Sequence, residues 1–230
     1  PNGPHVKSVV LGESGLASYM KEGDLLIDMS SIAPGVSKEL ESILSPKGIH
    51  MVDAPVSGGE PKAADGTLAI MVGGKEEDFE RAKPYFDILG SSAVLVGPIG
   101  SGNTCKLTNQ MIVAVNIAVL AEGLQLAKRA GADTQKVFDA IKGGLAGSTV
   151  MNAKAPMMLA GNYQPGFKID LHIKDLTNAM DTGYATNTPM PLTAEVMQMF
   201  QVLKADGCGQ EDHSALEKYY EKLTGTKVGE

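Results

Sequence analysis

Several features that mark whole classes of protein are missing from this chain. Its 230 residues contain no tryptophan, only two cysteines and no long run of lysine and arginine. Cys105 and Cys208 lie far apart and outside any CxxC spacing, so the sequence predicts neither a disulfide framework nor a zinc site. A net charge of −7 without clustered positive charge argues against binding to nucleic acid or to an anionic membrane. We therefore expect a protein of a reduced, cytoplasmic compartment that holds no metal.

Long hydrophobic runs are also missing. The longest, at 111–120, has about half the length that a membrane span requires, and no charged-then-apolar signal sequence opens the chain. The sequence therefore predicts a protein that is neither membrane-bound nor secreted. Because 43% of the residues are apolar, the chain can bury one large core or two modest ones.

The pattern of apolar residues divides the chain into two parts. Short apolar runs bounded by turn residues predict strands at 25–31, 49–57, 67–74 and 92–97, with helices between them at 36–44 and 77–89. This alternation predicts a parallel or mixed α/β sheet over residues 1–100. Residues 101–230 show only helical periodicity, and the predicted helices are 104–130, 134–141, 148–159, 170–184, 192–203 and 214–223.

One signature of dinucleotide-binding sheets is absent. No GxGxxG follows any strand, and no acidic residue stands about 20 residues later to bind a cofactor ribose. A doubly wound sheet normally opens with a strand, a glycine-rich turn and a helix, whereas this chain opens with PNGPHV. We expect that the sequence is the remainder of a longer polypeptide and that its nucleotide-binding fold is incomplete.

Polar segments follow three of the predicted strands. Ser31 follows the first, the tripeptide Ser57, Gly58 and Gly59 follows the second, and the glycine-rich turn 97–102 follows the last. Since ligands of open α/β sheets bind beyond the carboxyl ends of strands, we expect these segments to converge at one edge. The serine hydroxyl and the unobstructed glycine N–H groups suit a small carboxylate.

The glycine-rich turn runs into an apolar helix in the sequence GPIGSGNTCKLTNQ. The segment is not a phosphate-binding P-loop, because Asn103 stands where that motif requires lysine. Lys106 falls in the first turns of the helix, with Asn109 and Gln110 on the same face. A lysine ammonium can donate a proton to a developing alkoxide, as carbonyl reduction requires. The alternative is a solvated surface lysine, which is the usual environment of this residue.

These segments together resemble a known family. DMSS, DAPVSGGEPKAADGTLAIMVGG, GPIGSGNTCKLTNQ and GFKIDLHIKDL are similar to successive signatures of the β-hydroxyacid dehydrogenases, and the resemblance covers essentially the whole chain. It implies an NAD(P)-binding Rossmann-like domain at 1–100 and an all-helical substrate and oligomerisation domain at 101–230. It does not choose between NAD and NADP. The implied substrate is a small anionic hydroxy or oxo acid, and the helical content favours a homo-oligomer, either a dimer or a tetramer.

The resemblance also implies roles for individual residues. Lys106 is the implied acid/base and Asn109 its assistant, although some relatives carry the amide four residues after the lysine, at the position of Gln110. The implied carboxylate-binding residues are Ser57, Gly58 and Gly59. Ser31 is expected at both substrate and nicotinamide, and Lys174 at the cofactor. From spacing alone, an ordinary lysine of a helix surface is the better interpretation of Lys174.

Three further phrases, GGLAGSTV, AKAPM and DHSAL, favour one branch of the family. The implied reaction is reduction of tartronate semialdehyde (2-hydroxy-3-oxopropanoate) to glycerate by NAD(P)H. A sibling interpretation is a dehydrogenase of 3-hydroxyisobutyrate, which shares the motifs. A third, from a different class, is a non-catalytic fragment or assembly module, if the molecule begins at Pro1.

Overall fold

A computed structural model describes residues 2–229 and groups them into two compact units. The first unit contains residues up to Asn109 together with Asn178–Thr188. The second contains Gln110–Thr177 and the residues from Pro189 onward. The chain therefore passes from the first unit to the second within a helix, between Asn109 and Gln110.

The first unit alternates helices and strands, as the sequence predicts. Its elements are α1 (Gly3–Leu11), β1 (Leu25–Asp28), α2 (Pro34–Leu44), β2 (His50–Asp53), β3 (Val56–Ser57), α3 (Gly59–Ala64), β4 (Leu68–Gly73), α4 (Glu76–Leu89) and β5 (Gly90–Gly97). Helix α1 is a difference from the sequence prediction. The Asn2 side chain accepts the N–H of Gly3, and Pro4 in the first turn has its φ already set for a helix, so a helix begins at Gly3.

The sheet is mixed. Strand β1 runs parallel to β2, with Asp28 opposite Asp53. Strands β2 and β3 are successive stretches antiparallel to β4, and β5 runs parallel to β4. The expectation that all three polar segments follow strand ends at one edge is therefore wrong for the turn 97–102, because β4 and β5 run opposite to β1 and β3. The turn nevertheless meets the end of β2, because Gly73 at the end of β4 pairs with Asp53.

The long helix α5 (Ser101–Arg129) begins directly against the sheet. A Cβ on Gly102 would collide with the backbone carbonyl oxygens of Asp53 and Met71, so only glycine allows this approach. Two apolar clusters pack on the strands nearby. One includes Ile32, Leu40 and Leu44, and the other includes Val52, Ile70 and Phe86.

The second unit is helical, as predicted. It comprises most of α5, then α6 (Thr134–Ile141), α7 (Thr149–Ala160), the first half of α8 (Ile169–Thr186), α9 (Pro191–Ala205) and α10 (Glu217–Thr224). Within the described part of this unit, the β-type pairing is an isolated bridge between Lys168 and Asp212. The unit has its own core, in which Ile117, Leu124 and Phe200 are buried.

Helix α5 is longer and more apolar than the run at 111–120 suggested. By length and composition it is the one helix in residues 2–229 that could cross a membrane, with a mean hydropathy of 1.5 in its most apolar window. Within the protein, 44% of that window is buried. Its inward face supplies core residues such as Ala114, Ile117 and Leu124, and a core helix meets the same length and composition criteria.

Candidate active site

The start of α5 is fixed by a buried carboxylate at the end of β2. Asp53 accepts the backbone N–H of Gly100 at 2.6 Å and that of Asn103 at 2.7 Å. These bonds satisfy N–H groups at the helix start that have no partner within the helix. Burial raises the pKa of the Asp53 carboxyl, and the N–H donors at Asn103 and Gly100 act in the opposite direction. The sheet and the first turn of α5 are thereby joined by charge-assisted hydrogen bonds.

Asn103 connects this turn to the loop after β1. Its Oδ1 accepts the backbone N–H of Ile32 at 2.9 Å, and its Nδ2 donates to the Ser37 hydroxyl at 3.1 Å. Both bonds are buried, and Asn103 has no exposed surface. The loop that carries Ser31 is therefore held against the helical turn that leads into Lys106.

Lys106 is buried, with 6% of its surface exposed. The alternative of a solvated surface lysine is therefore wrong. Lysines are almost never buried without a partner, and Lys106 does have interactions within the protein. Asn109, one turn further along α5, is half-buried and also has interactions of its own. The structure thus places a buried lysine and an amide one turn apart on the same helix.

The carboxylate-binding tripeptide predicted from the sequence forms a turn after β3. Ser57 ends the strand, opposite Ala69 of β4, and is half-buried. Gly58 and Gly59 follow with φ values of 142° and 69°, which side chains rarely adopt. Both glycines are exposed, so their backbone N–H groups lie in reach of a ligand. The tripeptide lies on the same strand path as Asp53, four residues further along.

Gln110 and Lys174 are joined in the second unit by a residue that the sequence did not single out. Asp175 accepts a hydrogen bond from Gln110 Nε2 at 2.7 Å, and its other oxygen lies 2.9 Å from Lys174 Nζ. Asp175 is 1% exposed, so Lys174 is not an ordinary surface lysine. The only sequence signal for Asp175 was its place directly after the lysine of HIKDL.

One buried oxygen at the end of β1 has no hydrogen-bond partner. Asp28 accepts the N–H of Ser30 through Oδ1, whereas its Oδ2 is buried and unpaired. Burying an acceptor without a donor is costly, so this position suits a ligand that carries N–H or O–H groups. A nicotinamide carboxamide or a ribose has such donors, and Ser31 lies three residues away.

A histidine and two carboxylates form a separate cluster in the first unit. His50, Glu77 and Asp78 place potential ligand atoms within 4.8 Å of one another. His50 Nδ1 lies 2.7 Å from Asp78 Oδ1, and Arg81 lies 3.3 Å from the same oxygen. The Asp78 carboxylate is thus engaged by protein groups. A cavity of about 390 Å³ beside it is lined by none of the predicted site residues.

Comparisons with known proteins match both parts of the chain to NAD-binding dehydrogenases. Residues 1–97 match the NAD-binding domain of 6-phosphogluconate dehydrogenase, and residues 100–220 match the domain described as NAD-binding of NADP-dependent 3-hydroxyisobutyrate dehydrogenase. The 2-hydroxy-3-oxopropionate reductase of Escherichia coli is 42% identical over 99% of this chain and 78% of its own length. The 2-(hydroxymethyl)glutarate dehydrogenase of Eubacterium barkeri is 38% identical over 99% of this chain and 76% of its own length.

The chain is also similar to solved structures of 3-hydroxyisobutyrate dehydrogenases. The 3-hydroxyisobutyrate dehydrogenase of Mycobacterium tuberculosis is 31% identical and superimposes with a TM-score of 0.88, covering 96% of this chain and 77% of its own. The corresponding enzyme of Salmonella typhimurium is 33% identical with a TM-score of 0.83, covering 94% and 76%. The matched domains bind a nicotinamide dinucleotide, NAD or NADP. On this evidence, the chain belongs to the β-hydroxyacid dehydrogenase family.

Proposed function

We propose that the protein reduces tartronate semialdehyde to glycerate with NAD(P)H and that Lys106 is the general acid. The observation that carries this proposal is the burial of Lys106 on the first turns of α5, beside the anchored loop of Ser31. A buried ammonium near a helix N-terminus does not improve helix stability, because the helix dipole disfavours positive charge there. A role in proton donation explains why the lysine is buried at this unfavourable position.

The substrate carboxylate is assigned to Ser57, Gly58 and Gly59. This assignment is supported by the exposed turn after β3, in which two glycines present backbone N–H groups beside a serine hydroxyl. Carboxylates bind well to such clusters of donors. Ser31 is assigned to the substrate and the nicotinamide, and Lys174 to the cofactor. The unpaired oxygen of Asp28 fits a donor of the cofactor.

The chemical step needs one hydride and one proton. The hydride would come from a reduced nicotinamide, when one is bound, and would go to the aldehyde carbon of the substrate. Lys106 Nζ gives its proton to the carbonyl oxygen as negative charge develops there, so that the C=O double bond becomes a C–O single bond with a new C–H bond on the carbon and a new O–H bond on the oxygen. Solvent returns the proton to Lys106. The carboxylate turn holds the aldehyde in line, so that neither transfer requires a search for the correct orientation.

The two amides after Lys106 receive different assignments. The side-chain amide of Gln110 donates its Nε2 to the buried Asp175, and Asp175 also pairs with Lys174, which is assigned to the cofactor. Asn109 lies three residues after Lys106 on the same face of helix α5. We therefore assign assistance of the ammonium to Asn109 and substrate binding to Gln110.

Replacement of Lys106 tests the proposal. We expect Lys106→Ala to lower kcat by about 10²- to 10⁴-fold, the usual contribution of a general acid. Calorimetric titration should give nearly the wild-type affinity for the cofactor, because the ammonium acts on the substrate oxygen. Lys128→Ala, at the far end of the same helix, is the matched control and should keep the full rate. A Lys106→Ala variant that retains most of its turnover would falsify the proposal.

The second candidate substrate is 3-hydroxyisobutyrate, favoured by the resemblance to the Mycobacterium tuberculosis enzyme. The matched pair for comparison is tartronate semialdehyde and methylmalonate semialdehyde, the aldehyde form of 3-hydroxyisobutyrate, which differ by a methyl group in place of a hydroxyl. A pocket that hydrogen-bonds a hydroxyl rejects the analogue lacking it by about 10⁴-fold, whereas a missing methyl changes binding by only about 1–3 kcal/mol. Measuring kcat/KM for each substrate decides between them. Preference for tartronate semialdehyde by two orders of magnitude or more supports the first assignment.

We further propose that the protein is cytoplasmic and forms a homo-oligomer. We place the protein in a reduced, cytoplasmic compartment, with which the free thiols of Cys105 and Cys208 are compatible. The outward face of α5 carries Ile112, Val119 and Leu126, which are 58%, 62% and 71% exposed. We propose that this face binds a second copy of the chain, since apolar residues seven apart form one continuous stripe along a helix.

A further inference from the structure

Two histidines that lie 41 residues apart in the sequence meet in the core of the second unit. His172 of α8 and His213, in a 3₁₀ turn before α10, place their Nδ1 atoms 2.9 Å apart. His172 has no exposed surface, and His213 is 5% exposed. The rings of Phe167 and Phe200 pack against them at centroid distances of 5.1–5.7 Å. Neither imidazole belongs to the catalytic roles assigned above.

The contacts of the pair determine where its protons lie. His172 Nε2 is 3.0 Å from the backbone carbonyl oxygen of Gln110, which can only accept, so Nε2 carries a hydrogen. A proton must also lie between the two Nδ1 atoms, because two bare lone pairs at 2.9 Å would repel. In a neutral His172 the Nδ1 is bare, and the proton then belongs to His213 Nδ1. The chain of donors runs from His213 to His172 to Gln110.

The surroundings keep His213 neutral. Burial lowers the pKa of His213 well below its ordinary value, and the neighbouring His172 and Lys154 act in the same direction. Asp212 opposes them, but its carboxylate is already engaged by Lys154 Nζ at 2.9 Å and by the backbone N–H groups of Gly166, Phe167 and Ser214. His213 is therefore neutral at pH 7 and carries one N–H.

We propose that His172 and His213 are positioning residues for the site on α5, and that His213 selects the tautomer with which His172 holds the main chain at Gln110. Gln110 is thereby bound at both ends by α8, its carbonyl by His172 and its side-chain amide by Asp175, which pairs with Lys174. The inference rests on the proposed function, because Gln110 and Lys174 are assigned to that site. Small displacements of such groups are costly, since about 1 Å of misplacement can lower a rate 10²-fold.

Two substitutions of His213 separate this role from simple packing. His213→Asn keeps a nitrogen donor at the δ position, whereas His213→Leu fills similar space without a donor. We expect the leucine variant to lose kcat by about tenfold to a hundredfold, with KM for the cofactor changed less than about threefold. The asparagine variant should recover most of the wild-type kcat. Thermal unfolding of each variant verifies that it is folded.

Ring tautomers give a readout that does not depend on turnover. The chain has only four histidines, so long-range ¹⁵N–¹H spectra of the rings can resolve His172. We expect a single Nε2–H tautomer in the wild type and in His213→Asn, and a mixture in His213→Leu. Equal loss of kcat in both variants, no loss in either, or an unchanged His172 tautomer in the leucine variant would overturn the inference. Failure of the proposed function is seen separately, as turnover retained by Lys106→Ala.

Discussion

Glu217 has no exposed surface and is held by two neutral donors. The hydroxyl of Tyr163 donates to Oε2 at 2.8 Å, and Gln125 Nε2 donates to Oε1 at 2.8 Å. Burial raises the pKa of Glu217 to about 7, although these two hydrogen bonds lower it. At neutral pH this carboxyl is therefore close to half-protonated in the folded protein and ionised in the unfolded chain.

The raised pKa predicts that this residue makes stability fall as pH rises. Between about 4.5 and 7 the folded state binds a proton that the unfolded state has released, so the contribution is full below 4.5 and lost above 7. After discounting for solvent screening, we expect a loss of about 2 kcal/mol in the free energy of unfolding between pH 4.5 and 8. Glu217→Gln should remove that loss, as measured by urea unfolding at both pH values.

The difference between wild type and Glu217→Gln separates the contribution of Glu217 to the pH dependence of stability from that of other titrating groups. The lowered pKa of His213 has the opposite effect, because a buried neutral histidine gains stability as pH rises through its ordinary value. Asp212, with a pKa lowered to about 2, stays ionised in the folded state throughout this pH range. Both groups are present in wild type and variant, so their contributions cancel in the difference. An identical pH dependence in the two proteins would rule out the role assigned to Glu217.

Among the elements, the close packing of α5 on the sheet gives the clearest prediction. Gly102 and Gly35 are each the second residue of a helix, α5 and α2 respectively. A Cβ on Gly102 would collide with backbone atoms of β2 and β4, whereas a Cβ on Gly35 would meet nothing within 4 Å. We expect Gly102→Ala to destabilise the protein by about 1–3 kcal/mol through overpacking. Gly35→Ala should be neutral or stabilising by up to about 1 kcal/mol.

Chemical denaturation of the two variants beside the wild type measures both effects. The collision in Gly102→Ala involves backbone rather than a flexible side chain, so relaxation requires α5 or a strand to move. Because Lys106 lies four residues further along α5, that movement should also lower kcat. Equal stability of Gly102→Ala and Gly35→Ala would contradict the packing account.

Local signals in the sequence predict the helices of this protein, whereas the contacts that hold the candidate site depend on residues far apart in the chain. The bounds predicted for α6 coincide with those observed, because Asp133 caps the helix by accepting the N–H of Lys136, a local signal. Lys106 was identifiable from its place after a glycine-rich turn. The partners that hold the site were not, since Asp53 meets Asn103 across 50 residues and Gln110 meets Asp175 across 65. Such pairs form only when strands and helices pack, and no spacing rule encodes them.

At the scale of the whole molecule, the exposed stripe of α5 predicts self-association. Ile112, Val119 and Leu126 are spaced symmetrically about Val119. If two copies of α5 pack antiparallel about a two-fold axis at Val119, Ile112 of one copy lies opposite Leu126 of the other. The same pairing sets Asn116 opposite Glu122, an amide that can donate to a carboxylate. An isologous interface requires this kind of self-complementarity.

Val119→Glu should therefore abolish the oligomer. The substitution brings two carboxylates together at the axis, where the loss of apolar contact and the like-charge repulsion act in the same direction. Light scattering after size-exclusion chromatography should report a mass near 24.1 kDa, that of one chain, for this variant, and a multiple of it for the wild type. Leu192→Glu, at a leucine of α9 that is 66% exposed, is the control and should leave the assembly intact. A Val119→Glu protein with the wild-type mass would show that α5 does not form the interface.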